Sequence, residues 1–230
     1  MLDFNRFRFL TFDCYGTLID WETGIFSALR PILDRHGKDV EDARLLELYG
    51  ELEAQAEEGK FHPYHEVLQS VVHGLGRKLG FTPSLAEEQA LSKSVASWKP
   101  WPDTVAALKK LHTKYKLAII SNVDDDLFAP TARRLQVKFD HVITAEQAQC
   151  YKPALGIFHK ALDRIGVPAH EVLHVGQSIY HDIVPAKSLG MGTVWVNRPS
   201  ARPGVGAVKA AFGAPDLEVR EVAGLAAEIA

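Results

Sequence analysis

The segment Phe7-Arg8-Phe9-Leu10-Thr11-Phe12-Asp13-Cys14-Tyr15-Gly16-Thr17 decides the reading of this chain. Its apolar first half reads as a buried strand, and Asp13 stands where that strand ends. A turn on Gly16 then pushes the carboxylate out at the edge of a sheet. Ligands of open α/β sheets bind there, outside the carboxyl ends of the strands. A carboxylate so placed is an ion-pair partner, a metal ligand or a nucleophile. Its neighbours decide between the three.

Outward from this segment, short β-branched runs recur among helical patterns. Residues 117–120, 141–144, 172–175 and 193–196 read as strands, and residues 104–115, 127–135, 155–165 and 183–189 carry helical periodicity. Such alternation predicts right-handed βαβ units, hence an α/β fold with a Rossmann-like, mostly parallel sheet. Residues 21–98 break the pattern with helical periodicity and no convincing strand. Residues 41–58 are the clearest case, with Ala43, Leu45, Leu46, Leu48, Leu52 and Ala56 spaced among acids. Thr82-Pro83-Ser84 followed by Glu87 reads as a helix start. The expected organisation is a core of residues 1–19 and 99–230 with a helical cap, residues 20–98, inserted after the first strand. Residues 199–215, rich in glycine, alanine and proline, read as a surface loop.

Composition bounds the function. The chain has 230 residues, 47% hydrophobic, with a net charge of −3, which suits a packed globular core and lacks the basic footprint of a nucleic-acid binder. No apolar stretch approaches the roughly 18 residues of a membrane span. No secretory leader is recognisable at Met1, and two cysteines fit a reducing compartment. A cytoplasmic protein acting on a small molecule is expected, with no nucleic acid and no membrane as partner.

Four segments fall at predicted strand ends: Asp13-Cys14-Tyr15-Gly16-Thr17, Ser121-Asn122, Lys152-Pro153 and residues 176–182. A parallel sheet brings them to one edge. Together they supply a carboxylate, hydroxyls, an amide, an ammonium and a second carboxylate, Asp182, a set that fits covalent catalysis by a carboxylate. Lys152 nearby would keep Asp13 ionised. Plainer readings exist for each residue alone: a solvated strand-end acid for Asp13, a helix cap for Ser121 and Asn122, a helix-start acid for Asp182.

These four motifs, in this order and with a helical insert after the first, resemble the haloacid dehalogenase superfamily over nearly the whole chain. Phosphatases of that superfamily carry an aspartate two residues after the nucleophile and paired acids in the fourth motif for magnesium. Here Tyr15 takes the first place, and the fourth motif reads Gly176-Gln177-Ser178, with Asp182 its only acid. Asp13 and Asp182 could still form a metal pair, so a metal is disfavoured rather than ruled out. The chain resembles the 2-haloacid dehalogenase (type II) branch, which uses Asp-x-Tyr-Gly-Thr and no metal, so no cofactor is expected. That resemblance implies a hydrolytic dehalogenase of short 2-haloalkanoic acids, with Asp13 forming an ester that water cleaves to a 2-hydroxyacid. It further implies that Thr17 orients Asp13, that Lys152 steadies it and that Asp182 helps the hydrolytic step. Ser121 would bind the substrate carboxylate and Asn122 would face the halide, with Tyr15, Gln177 and Ser178 completing the pocket. The resemblance allows a homodimer.

Two departures limit the substrate. The cap helix of family dehalogenases carries an arginine that helps hold halide, whereas Leu48-Tyr49-Gly50-Glu51-Leu52-Glu53-Ala54-Gln55 has none, and Arg44 lies one to two turns earlier. The fourth motif also lacks the family's serine and asparagine richness. Gln55, Lys60, His62 and His65, or His181 beside Asp182, are candidate replacements. The rival readings are a phosphatase of the same superfamily and a non-catalytic binding protein on the same scaffold. Cys14 and Cys150, expected near one mouth, are candidate reactive thiols.

Overall fold

A computed structural model describes residues 2–198, 207 and 211–229. Six strands form one sheet in the order β3-β2-β1-β4-β5-β6: β1 Phe9–Phe12, β2 Lys116–Ser121, β3 His141–Thr144, β4 Val172–Gly176, β5 Gly192–Val196 and β6 Leu217–Val219. Every pairing is parallel. All four β1 residues are buried, as expected of a central strand covered by helices on both faces. The sheet is wider than the sequence reading by β6, whose Leu-Glu-Val is too short to register as a periodic run. The fold class read from the sequence is the one observed.

The helices divide into two groups. Between β1 and β2 lie α1 Trp21–Arg35, α2 Asp42–Glu57, α3 Tyr64–Leu79, α4 Leu85–Glu88, α5 Ala90–Ser94 and α6 Thr104–Leu111. After β2 come α7 Asp125–Leu135, α8 Ala145–Ala148, α9 Leu155–Ile165, α10 Val184–Ser188 and α11 Val222–Glu228. The first five helices pack on one another rather than on the sheet: α2 lies on α3, and α1 on α5. Ser84 forms the capping box foreseen for α4, its hydroxyl and N–H both bonded to Glu87. The predicted helix 183–189 instead begins as a π-turn, Ile179–Ile183, which runs into α10. The predicted loop 199–215 lies largely outside the described residues.

The chain leaves and re-enters the core at one hinge. Ile19 bridges Pro100, the Asp20 N–H meets the Lys99 carbonyl at 2.9 Å and the Trp101 N–H meets the Leu18 carbonyl at 3.0 Å. Trp98 seals this hinge against Gly24, where a Cβ would come within 2.5 Å of the indole. Trp101 donates its indole N–H to the Gly16 carbonyl. A second tie crosses from core to insert. Buried Asp124 accepts the N–H groups of Tyr64 and His65, at 2.8 and 2.9 Å, and so caps α3 from outside its own helix group.

Candidate active site

Strand order reverses around β1: β2 and β3 lie on one side, β4 to β6 on the other. The carboxyl end of β1 is therefore a topological switch point, where a parallel sheet opens a crevice. Register delivers the motifs to it. Phe12 pairs with Ile119 on one side and Val175 on the other, so Asp13 emerges level with Ile120 and Gly176, with Ser121 one residue further along β2. Gly16 (φ +93°) turns the chain in the left-handed region and lies against the Gln177 side chain.

Asp13, Lys152 and Asp182 form one buried cluster. The Lys152 ammonium donates to Asp13 Oδ1 at 2.8 Å, to Asp182 Oδ1 at 2.6 Å and to the Ile120 carbonyl at 3.1 Å, which uses all three of its protons. Thr17 donates to Asp13 Oδ2 at 2.6 Å and accepts the Gln177 N–H at 2.8 Å, locking its hydroxyl direction. Asp182 Oδ2 accepts the Ser178 N–H, and Oδ1 also meets His174 Nε2 at 3.2 Å. The second nitrogen of His174 faces the Thr11 hydroxyl. Gly176 is required here, because a Cβ would stand 2.5 Å from the Asp182 side chain.

The charges in this cluster are uneven. Burial pushes Asp13 above the ordinary carboxylate value, against the pull of Lys152 and Thr17. For Asp182 the same burial is outweighed by Lys152 and His174, and its carboxyl lies far below the usual range. Burial would lower the Lys152 ammonium, but the two carboxylates hold it well above its usual value. The two carboxyls thus share one cation in unequal surroundings: burial prevails at Asp13, and its charged partners prevail at Asp182.

The remaining sequence-predicted residues reach the same pocket, though not all in the expected posture. Asp13, Tyr15, Ser121, Asn122, Lys152, Gln177, Ser178 and Asp182 all line it. Thr17 lies fully buried beneath Asp13. Tyr15 turns its hydroxyl away from Asp13, to Thr131 Oγ1 at 3.0 Å, and stacks edge-on against Trp98. Asn122 does not offer its whole amide to a halide: its Oδ1 accepts the Lys152 N–H at 2.7 Å and its Nδ2 donates to the Lys152 carbonyl at 3.2 Å. That amide clamps the lysine's own backbone. Ser121 Oγ is the one buried side-chain polar atom without a hydrogen-bond partner among the described residues, and it belongs to the pocket wall.

Most of the expected replacements for the cap arginine fall elsewhere, as does Arg44. Arg44 pairs with Glu47 and Glu51 on the surface, His62 with Glu66 and His65 with Asp124. None of these, nor Gln55 or Lys60, lines the pocket: Gln55 lies on the exposed side of α2, Lys60 and His62 are exposed between α2 and α3, and His65 turns to Asp124; only His181 lines it. From α2 the pocket receives Glu53 instead, joined by Tyr64 from α3 and Trp21 from α1. Periodicity held the signal: Tyr49 and Glu53 share one helix face four residues apart. The thiol expectation fails for Cys14, which is fully buried under the site, and burial pushes its thiol well up. Cys150, half-buried, lies in the neighbouring cleft with Glu57 and His181.

The donor set does not suit a magnesium ion. All four oxygens of Asp13 and Asp182 already face donors, and the ammonium fills the space between the two carboxylates. Among the described residues no group of three or more His, Cys, Asp or Glu side chains is arranged to hold a metal. Nor is any helix long and apolar enough to cross a membrane.

Known proteins share this arrangement of chain. An (S)-2-haloacid dehalogenase of Burkholderia cepacia is 30% identical over 206 residues, covering 86% of this chain and 87% of that protein. A glyceraldehyde 3-phosphate phosphatase of Methanocaldococcus jannaschii is 38% identical, but over 103 residues and 44% of the chain. The structure of L-2-haloacid dehalogenase from Xanthobacter autotrophicus with chloropropionic acid covalently bound superposes with a TM-score of 0.81 at 20% identity, covering 97% of this chain and 98% of that one. At that identity the last likeness speaks for the fold alone. Residues 7–190 match the haloacid dehalogenase-like hydrolases, and from strand order to the Asp13 cluster the chain belongs to that family.

Proposed function

We propose that this protein is a hydrolytic dehalogenase of short 2-haloalkanoic acids, with Asp13 as the nucleophile. The observation that carries the reading is the single ammonium clamped between Asp13 and Asp182, with Tyr15 turned to Thr131 where a phosphatase would present an acid. A carboxylate oxygen of Asp13 attacks the halogen-bearing carbon, the carbon–halogen bond breaks and halide leaves with its electron pair. The product is an ester to Asp13, inverted at carbon. Water then attacks the ester carbonyl of Asp13, releasing the 2-hydroxyacid, a proton and the free carboxylate.

Each neighbour has a task in this scheme. Lys152 and Thr17 orient Asp13 and favour its ionised form, countering burial. The unpartnered Ser121 hydroxyl is a ready donor for the substrate carboxylate. Asn122 fixes the Lys152 backbone, so the ammonium is delivered from a rigid loop. Asp182, which accepts from Lys152, meets His174 and accepts the Ser178 N–H, anchors the ammonium beside Asp13 and stands next to the ester that water must attack.

The test is halide release from chloro-, bromo- and fluoroacetate and 2-chloropropionate, coupled to single turnover in ¹⁸O-water. Label entering the Asp13 side chain is the expected result, since the ester carbonyl belongs to the enzyme. Folded protein that releases no halide from any of these substrates overturns the reading. Magnesium-dependent phosphate release in its place would make the chain a phosphatase.

A further inference from the structure

The pocket of this haloacid-type site has an unusual wall. Lys152 is the only lysine or arginine that lines it among the described residues, and its three protons are already taken. Opposite the core, where a cation would help a departing anion, stands the carboxyl of Glu53. Its Oε1 accepts the hydroxyls of Tyr49 at 2.8 Å and Tyr64 at 2.5 Å. Both tyrosines are buried, and Tyr49 is fixed further by edge-on contact with Trp21. Oε2 has no hydrogen-bond partner among the described residues.

That division of labour has a chemical meaning. Two hydroxyl donors on Oε1 by themselves favour the ionised form, but they leave Oε2 free, and the proton of the acid form resides there. The surroundings favour the neutral form. Glu57 lies one turn on along α2, and Asp13 and Asp182 share the pocket with it, against Lys152 and His181. An ionised Glu53 would add another negative charge to a site meant for an anionic substrate and a departing halide. Burial pushes the Glu53 carboxyl up, against the pull of Tyr64 and Tyr49, and pushes Glu57 up further.

We propose that Glu53 is the proton donor to the leaving group, occupying as a neutral acid the place that an arginine serves in related dehalogenases. As Asp13 forms its bond to carbon and the carbon–halogen bond breaks, the Glu53 acid donates a hydrogen bond to the departing halide. Where that halide is fluoride, Glu53 passes its proton to it, so that HF leaves and Glu53 is left ionised. Hydrolysis of the ester by water releases one proton, which returns Glu53 to the acid form and balances the cycle. The benefit depends on the halide. Fluoride is the conjugate base of a weak acid and gains most from a proton, whereas bromide leaves unaided. The pocket is therefore built for the poorer leaving groups, fluoride before chloride.

This assignment rests on the haloacid reading, and the experiment separates the two. Ester formation on Asp13 is timed in single turnovers with fluoro-, chloro- and bromoacetate, in the wild type and in Glu53→Gln, which keeps the acceptor for both tyrosines but has no acidic proton. General acid catalysis predicts that the fluoride-to-bromide rate ratio falls about a hundredfold or more in the variant. In the infrared spectrum, the wild type shows a protonated-carboxyl band near neutral pH that the variant lacks. Equal loss on all three substrates, or no change in the band, overturns the role of Glu53 and leaves the dehalogenase standing. A folded wild type inert toward all three overturns both.

Discussion

Replacing Lys152 by methionine removes the one cation from a buried site while keeping most of the side-chain volume. At an effective dielectric near 20, the contacts at 2.8 Å to Asp13 and 2.6 Å to Asp182 are each worth about 6 kcal/mol of Coulomb attraction. Most of that offsets the several kcal/mol that taking each ion out of water costs. The variant keeps the desolvation of both carboxylates and adds their mutual repulsion, so an expected loss of about 3–5 kcal/mol follows near neutral pH. A domain stable by about 5–15 kcal/mol survives this loss folded but weakened.

The pH dependence sharpens the expectation. Without Lys152 the folded variant takes up a proton on Asp13 or Asp182 at a pH where the unfolded chain has none. Bound protons then favour the folded state, and the variant recovers stability as pH falls toward the ordinary carboxylate range, by up to about 1.4 kcal/mol per pH unit. In the wild type Lys152 and His174 hold Asp182 below that range, so its contribution is full above the unfolded value and is lost only on further acidification. The gap between wild type and variant should narrow on acidification. Urea unfolding followed by tryptophan fluorescence, at about pH 8 and about pH 5, measures it. A gap under about 1 kcal/mol, or one identical at both pH values, would refute the shared-cation account.

Thr17→Val removes the hydroxyl that donates to Asp13 and strands the Gln177 N–H, costing about 2 kcal/mol of stability. Burial already raises Asp13, so losing this donor moves the acid limb of ester formation to higher pH, readable in single-turnover rates. Asp124→Ala leaves the first N–H groups of α3 without their acceptor from the core; about 1–2 kcal/mol should be lost, with faster hydrogen exchange at Tyr64 and His65 while the strands stay protected.

Much of the site was legible before any coordinates. Asp13 and Ser121 stand at the ends of apolar runs that read as strands, Lys152 and Asp182 several residues beyond two more, and a parallel sheet gathers such ends at one edge. Tyr15 in an acid's place was equally visible. Orientation was not. That the Tyr15 hydroxyl turns to Thr131, and that Asn122 clamps the Lys152 backbone, depends on atoms 116 and 30 residues apart in sequence. His174 read only as a strand residue, yet its register beside Thr11 in β1 carries it under Asp182.

The helical insert marks the same boundary. Its periodicity named α2 almost to the residue, because burying a stripe of leucines is a local demand. Which α2 residue enters the pocket is set by the docking of α2 and α3 on the core, through Asp124, and no local pattern encodes that angle. Sequence by itself determined the strands, their carboxyl-end chemistry and a helical insert beside Asp13, since these follow from short-range periodicity and strand polarity. Only the tertiary structure decided that Glu53, rather than a cation, faces Asp13 across the pocket, because that depends on the contact between two chain segments that meet only after folding.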